Sequence, residues 1–204
     1  QYTAQLIYPM MQAWDPFYFG ADILQLGMDQ RHATVLSREL AEKLGQSPRV
    51  CVLHHLLVGL QGVDGRMGQE MATLQVEGKM SKSKPMTAIF IHDTKSEIEE
   101  KIQKAFCPEK VVEGNPVVEI WRYIILRKFE SRTIERPSKF GGNLEIQKYE
   151  ELEDLYKKGK LHPLDLKKET IAALDEILAP VRKQFSKGKA KQLYEEVNSH
   201  QVTR

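Results

Sequence analysis

The chain has few of the features that mark metal-stabilised, secreted or membrane proteins. Its two cysteines, Cys51 and Cys107, have neither the C-x-x-C spacing of a zinc site nor the pattern of a disulfide framework. Apolar runs such as residues 56–58 are far shorter than the roughly 20 residues of a membrane span. No basic and then apolar leader opens the chain. These absences favour a cytoplasmic protein with buried or idle thiols, no metal site and no membrane contact.

The chain also has little net charge, only +2 over 204 residues. Residues 1–93 carry 8 Lys and Arg against 9 Asp and Glu, and residues 94–204 carry 22 against 19. Any contact with nucleic acid must therefore come from local basic patches. With 41% hydrophobic residues, the chain can bury one fair-sized core or two small ones.

Helix and strand patterns alternate in residues 1–93. Apolar residues recur at helical spacing over residues 6–14, and residues 21–26 have the pattern of a short strand. A helix is predicted over residues 32–44 and a second, largely buried strand over residues 49–58. A strand, a helix and a strand joined by short loops predict a parallel sheet, so the fold class is α/β.

Only helices are predicted in residues 94–204, which we therefore expect to form an all-α domain. Ser96 and Glu99 have the spacing of a capping box at a helix start. The further predicted helices cover residues 116–129, 149–158 and 163–178. Pro180 is expected to end the last of them.

A loop that starts at Gly78 is rich in lysine and serine. Its lysines and serines are Lys79, Ser81, Lys82, Ser83 and Lys84, with Met80 between the first two. Lysine ammonium groups can neutralise a triphosphate, and hydroxyl and loop N–H groups can donate hydrogen bonds as negative charge develops. The alternative is a solvated basic loop, which is the commoner meaning of such a composition.

Polar side chains also lie on one face of the first helix and after the first strand. Tyr8, Gln12 and Asp15 are spaced i, i+4 and i+7, so a phenol, an amide and a carboxylate can together hold a small zwitterion with a hydroxyl. Asp29 follows Gly27 at the carboxyl end of the strand, where α/β folds bind ligands. A solvent-facing helix and an ordinary turn are the alternatives.

Two further groups lie near the end of the chain. His162 precedes Pro163, with Asp165 in the first helical turn, which is typical of a capped helix start. An imidazole ring can instead stack on an unpaired base while a carboxylate accepts from a guanine edge. Basic residues between 182 and 191 could contact nucleic-acid phosphates, although such runs are more often solvated helix faces.

Several of these segments resemble tyrosyl-tRNA synthetases of the archaeal and eukaryotic type. Lys79 to Ser83 match in full the KMSKS motif of class I aminoacyl-tRNA synthetases, and residues 7–15 resemble the tyrosine-binding helix. Segments 105–108, 111–116, 139–142 and 161–167 are also similar, so the resemblance covers nearly the whole chain. The chain departs from the family at Leu26, where relatives usually have glycine, and at residues 63–76, which are interpreted as an inserted hairpin or lid.

The resemblance implies a role for each candidate residue. Lys79 and Lys82 would bind the ATP phosphates, with Ser81 and Ser83 as supporting donors. Tyr8, Gln12 and Gln30 would hold tyrosine, and Asp15 would accept from its hydroxyl. Gly27 and Asp29 would meet the ribose. Phe140, His162 and Asp165 would meet the anticodon.

The resemblance also implies an architecture and a reaction. Residues 1–93 would be the second half of a Rossmann-like catalytic domain, and residues 94–204 an all-α anticodon-binding domain. The activity would be ATP-dependent attachment of L-tyrosine to tRNA(Tyr), with Mg²⁺ accompanying ATP, no tightly bound cofactor, and a homodimer when complete. The chain contains no HIGH-like histidine motif, so a non-catalytic tRNA-binding fragment or paralogue is the alternative.

Overall fold

The computed structural model describes residues 3–62 and 78–200, so the predicted insertion at residues 63–76 lies outside the described part. The helices are α1 (Thr3–Tyr18), α2 (Arg31–Ala41), α3 (Lys95–Lys104), α4 (Pro116–Ile120), α5 (Leu126–Lys128), α6 (Tyr149–Lys157), α7 (Pro163–Phe185) and α8 (Gly188–Ser199). The strands are β1 (Ile23–Gly27), β2 (Val50–His54), β3 (Arg132–Ile134) and β4 (Leu144–Ile146). Short 3₁₀ turns follow β1 and α2, and a π-helical turn joins α4 to α5.

The described residues form two compact units. The first contains residues 3–56 with Gly78 and Lys79, and the second contains residues 57–62 and 80–200. The division into compact units thus falls after Leu56, whereas the functional boundary at residue 93 stays a prediction. Within the described ranges, the structure has no helix whose length and apolar character would suit a membrane span.

The first unit is a two-stranded parallel sheet with two helices. β1 and β2 pair from Ile23 with Val50 through Gly27 with His54. The 3₁₀ turn after α2 ends at Gly45, whose φ of 63° is left-handed and therefore favours glycine. The predicted parallel sheet is confirmed.

The prediction that the second strand is largely buried is wrong. Val50 and Val52 are about half exposed, and Ile23 of the neighbouring strand is exposed on the same face. Cys51 and Leu53 point to the other face and are partly covered. The apolar run indicated a strand that is covered on both faces, but the described residues leave the face with Val50 and Val52 about half exposed.

The second unit is built around one apolar core. Fully buried side chains from its helices and short strands meet there, among them Ile98, Ile102, Trp121, Ile134, Ile146, Leu152, Tyr156 and Leu166. Trp121 satisfies its buried indole N–H by donating to Thr170 Oγ1 at 2.8 Å. Buried Asn115 caps α4 by accepting from the N–H groups of Val117 and Val118.

Residues 94–204 are not all helical, so that prediction is wrong at one place. β3 and β4 form an antiparallel hairpin in which Arg132 pairs with Ile146 and Ile134 with Leu144. Each strand contributes one fully buried isoleucine, Ile134 or Ile146, to the core. Three-residue strands are too short to give the alternation by which a strand is recognised in a sequence.

Two helix boundaries also differ from the predictions. α7 continues through Pro180 to Phe185, where the side chain of Arg182 donates to the main-chain carbonyl and the carboxylate of Asp175, one turn before the proline. Pro180 cannot donate a main-chain hydrogen bond within the helix. The contacts between Arg182 and Asp175 join the helical turns on either side of it. The capping box at the start of α3 is formed by Thr94 and Glu97, not by Ser96 and Glu99.

Candidate functional site

The first unit brings two predicted ligand-binding amides together. β1 ends at Gly27, and the 3₁₀ turn that follows contains Gln30. Gln12 Nε2 on α1 donates to Gln30 Oε1. The middle of α1 therefore lies beside the carboxyl end of β1, where parallel sheets present ligand sites.

Asp29 lies at the same strand end and forms an ion pair with the first lysine of the KMSKS motif. Lys79 Nζ is 2.5 Å from Asp29 Oδ2, and the Asp29 side chain is only 12% exposed. The hydrogen bond from Lys79 holds the pKa of the Asp29 carboxyl below its ordinary value of 3.8, against the opposing effect of burial. The ion pair links two sequence-predicted residues that are fifty positions apart in the chain.

Gly27 leaves room for this arrangement. A Cβ atom at position 27 would lie 2.6 Å from Asp29 Oδ1 and 2.8 Å from Leu56 Cδ2, both far inside normal contact. Any larger residue would displace the carboxylate or the leucine that packs beside it. The glycine therefore allows the Asp29 carboxylate to lie against the main chain at the end of β1.

The other two residues of the predicted α1 face are open to solvent. Tyr8 is 64% exposed and Asp15 is also exposed. Only Gln12 of this face contacts Gln30 in the described part of the chain. The structure thus joins Gln12, Gln30, Asp29 and Lys79 into one neighbourhood and leaves the Tyr8 and Asp15 side chains exposed beside it.

The rest of the KMSKS motif lies in the second unit, where it forms a turn that is stabilised by its own hydrogen bonds. Lys84 N donates to the Ser81 carbonyl at 3.1 Å, and Ser81 N donates to Thr87 Oγ1 at 3.4 Å. Thr87 Oγ1 also donates to the Lys84 carbonyl at 2.7 Å. Sequence reasoning missed Thr87, whose hydroxyl group joins the main chain at Ser81 to the main chain at Lys84. The side chains of Lys82 and Ser83 are exposed.

The three residues predicted to meet the anticodon line one cleft of the second unit. Phe140, His162 and Asp165 surround a volume of about 430 Å³ together with Arg136 and Leu164. The Phe140 ring is 60% exposed, with the Lys139 ammonium group 4.9 Å from the ring centroid. We call this the anticodon cleft, after the role that the sequence resemblance predicts for Phe140, His162 and Asp165.

His162 also caps the helix that carries Asp165, as the sequence predicted. Its Nδ1 accepts from Leu164 N at 3.2 Å, and its Nε2 lies 3.3 Å from Glu109 Oε1. Capping fixes the orientation of the imidazole ring beside the cleft. The structural and the ligand-binding interpretations of His162 are therefore compatible.

Arg136 is a cleft residue that sequence reasoning missed. Its Nε donates to the Gly142 carbonyl at 3.0 Å and its Nη1 to the Lys160 carbonyl at 2.5 Å. The guanidinium thereby joins the hairpin loop that carries Phe140 to the loop before α7. The only signal in the sequence was an arginine shortly before the paired glycines Gly141 and Gly142.

Comparison with known proteins gives a consistent result over most of the chain. A family model described as tRNA synthetases class I (W and Y) matches residues 2–179. A tyrosine–tRNA ligase of Saccharolobus solfataricus is 47% identical over 188 residues, which are 91% of this chain and 51% of that protein. The cytoplasmic tyrosine–tRNA ligase 1 of Arabidopsis thaliana is 45% identical over 204 residues, which are 99% of this chain and 50% of that protein.

Solved structures agree with this. The tyrosyl-tRNA synthetase of Pyrococcus horikoshii, crystallised with L-tyrosine, has a TM-score of 0.82 and 44% identity, covering 91% of this chain and 54% of that one. The chain spans about half the length of the relatives it matches. Because the family model covers most of the chain, the chain belongs to the class I tRNA synthetases of the tryptophan and tyrosine family.

Proposed function

We propose that this chain is the carboxy-terminal part of a tyrosine–tRNA ligase of the archaeal and eukaryotic type. The observation that carries the proposal is the ion pair of Lys79 with Asp29, beside Gln12 and Gln30. A phosphate-binding lysine, a ribose-binding carboxylate and two amides for an amino acid are the groups that an aminoacyl-adenylate requires. The relatives named above, called tyrosine–tRNA ligases, support tyrosine as the amino acid.

Recognition of tyrosine is assigned to Tyr8, Gln12, Asp15 and Gln30. The phenol oxygen of Tyr8 and the amide oxygens can accept from the substrate ammonium group, and the Asp15 carboxylate can accept from the substrate hydroxyl. The exposed position of Asp15 suits a carboxylate that meets a ligand and not another side chain. Phenylalanine would leave this carboxylate without a donor once the ligand covers it, and the energetic cost of that loss selects tyrosine.

The proposed reaction has two steps. In the first, a tyrosine carboxylate oxygen attacks the α-phosphorus of ATP, which reaches the site with Mg²⁺ on its phosphates, and the bond to pyrophosphate breaks. In the second, a hydroxyl of the terminal tRNA ribose attacks the tyrosyl carbonyl carbon, the bond from that carbon to the AMP phosphate oxygen breaks, and AMP leaves with the hydroxyl proton. Both steps depend on positioning and on stabilising phosphate charge, so no covalent intermediate with the protein is required.

The side chains of the KMSKS motif would act on this phosphate charge. Lys82 is exposed. By its place in the motif we assign it to the triphosphate, with Ser81 and Ser83 as supporting donors. Lys79 would neutralise Asp29 before the substrate binds. When ATP arrives, the ribose hydroxyls can donate to Asp29 and release the Lys79 ammonium group to the phosphates.

Binding of tRNA is assigned to residues 94–204, which we propose as the anticodon-binding domain, with residues 1–93 in the catalytic domain. Phe140 and His162 offer rings for stacking, and Asp165 offers an acceptor for a guanine edge. Their position around one cleft supports this assignment. We further propose that the whole protein is a cytoplasmic homodimer.

A charging assay tests the proposal. The whole protein should attach labelled tyrosine to tRNA(Tyr) in the presence of ATP and Mg²⁺, and a transcript with an altered anticodon should be charged poorly. The control is the Lys79→Ala, Lys82→Ala double variant. A protein that binds tRNA(Tyr) selectively but never charges it would instead be the non-catalytic paralogue.

A further inference from the structure

A second cleft of the second unit is lined by lysines and lies where α7 ends and α8 begins. It is an open depression of about 580 Å³, and Lys183, Lys187 and Lys189 line it together with Gln184. We call it the basic cleft. The sequence contains no Asp or Glu from residue 177 to residue 194, so no acidic residue close in sequence offsets these charges.

The three lysines of the basic cleft are not used in ion pairs with the described residues. Of the basic residues around them, Arg182 is paired with Asp175, and Lys191 lies 3.6 Å from Glu195. Lys183, Lys187 and Lys189 are exposed and carry their charge towards solvent. Three unpaired ammonium groups around one concavity favour a ligand with several negative charges.

Contacts on α8 and α7 hold the basic cleft in shape. The Tyr194 ring of α8 lies 5.8 Å from the Phe185 ring of α7 and 5.2 Å from the His92 ring. Arg182 ties the end of α7 to the main-chain carbonyl of Asp93 at 3.2 Å. The lysines therefore extend from a backbone that is already ordered, which lowers the entropic cost of binding.

The lining of the basic cleft differs from that of the anticodon cleft in a way that indicates its ligand. Among the described residues that line the basic cleft, none offers an aromatic ring for stacking or a carboxylate to accept from a base edge. Its lysines can contact phosphates, which position a nucleic acid without reading its sequence. The first turn of α8 has no acidic residue and adds N–H donors to the same region.

The two clefts lie at opposite ends of one helix. Asp165 is in the first turn of α7 and Lys183 is in its last turn, so about 27 Å of helix separates them at 1.5 Å per residue. A nucleic-acid stem covers such a distance in on the order of ten base pairs. One RNA molecule can therefore reach both clefts.

We propose that the basic cleft binds the ribose-phosphate backbone of tRNA at a place away from the anticodon. This inference rests on the proposed function, because it takes tRNA as the polyanion. The anticodon cleft supplies selectivity, and the basic cleft supplies affinity that depends on salt and not on the anticodon.

Filter binding of tRNA(Tyr) to the 204-residue chain between 50 and 200 mM salt tests this proposal. The Lys183→Ala, Lys187→Ala, Lys189→Ala variant should bind at least about tenfold more weakly at low salt, and its plot of log affinity against log salt should be less steep by about 2 to 3. A Lys104→Ala, Lys157→Ala, Lys158→Ala variant removes the same charge from lysines already paired with carboxylates, and it should bind nearly as the unaltered chain does.

Two readouts separate failure of this inference from failure of the proposed function. Equal salt slopes for the cleft and control variants would overturn the inference. It would also be overturned if arginine at positions 183, 187 and 189 failed to restore the binding that alanine removes. Lysine-dependent binding to phosphatidylserine vesicles with unchanged tRNA binding would also overturn it. Absence of any preference for the tyrosine anticodon in the unaltered chain contradicts the proposed function, while the salt slopes still decide the role of the cleft.

Discussion

Lys79 Nζ lies 2.5 Å from Asp29 Oδ2, so the first lysine of the KMSKS motif neutralises a carboxylate at the end of the first strand. The lowered pKa of Asp29 means that this ion pair stabilises the folded chain above the ordinary pKa of 3.8. That stability is lost as the pH falls below 3.8 through the lower pKa of the folded state.

Lys79→Ala should therefore raise the pKa of Asp29 toward or above 3.8, because burial then acts without the opposing hydrogen bond. The measurement is an NMR titration of the Asp29 carboxyl carbon. Lys82→Ala is the matched control and should leave the titration unchanged. An unaltered Asp29 titration in Lys79→Ala would show that the two side chains are not paired in solution.

Asp15→Ala should reduce discrimination between tyrosine and phenylalanine in the whole protein. Loss of the acceptor removes the penalty for a missing hydroxyl, so the ratio of the two kcat/KM values should fall by about 100-fold or more. Asp22→Ala, which removes another exposed carboxylate of the first unit, serves as the control. A ratio that stays the same would remove Asp15 from substrate selection.

Lys82→Ala should slow adenylate formation by about 100-fold while changing the Kd for tyrosine by no more than about twofold. The expected asymmetry arises because the lysine acts on phosphate charge that develops during the reaction. Stopped-flow kinetics give both quantities, with Lys43→Ala as an exposed-lysine control. Similar losses in tyrosine affinity and in rate would indicate a structural role for the loop.

Phe140→Ala and Asp165→Ala should each raise the KM for tRNA by about 5- to 100-fold, the range expected for one stacked base or one hydrogen-bonded base edge. Tyrosine-dependent ATP–pyrophosphate exchange should remain near normal, since both residues line the anticodon cleft. Asp154→Ala is the control for an exposed carboxylate. A large loss of exchange in either variant would place these residues in the activation step.

Local patterns in the sequence predicted much of the fold. The parallel pairing of β1 with β2, the helices α1 and α2 and the cap of His162 follow from short-range periodicity and from proline and glycine positions. Local patterns cannot locate a helix start when two neighbouring positions both have the residues of a capping box. Thr94 with Glu97 and Ser96 with Glu99 are both capping-box spacings, and only the structure selects the first.

The candidate sites were predicted residue by residue, but their connections were not. The ion pair of Lys79 with Asp29 spans fifty positions, and no local pattern reports a contact at that separation. Arg136 and Thr87 were missed for the same reason, because their roles come from hydrogen bonds to loops and not from their own neighbours in sequence. The three-residue strands that carry Ile134 and Ile146 were too short to be recognised.

The choice of amino acid is decisive for the proposed function, because the family contains both tryptophan and tyrosine enzymes. ATP–pyrophosphate exchange by the whole protein should be measured with L-tyrosine, L-tryptophan and L-phenylalanine at matched concentrations. We expect rapid exchange with tyrosine, and exchange with the other two slower by about 100-fold or more. Exchange that is fastest with tryptophan, or absent with all three, would contradict the proposed function.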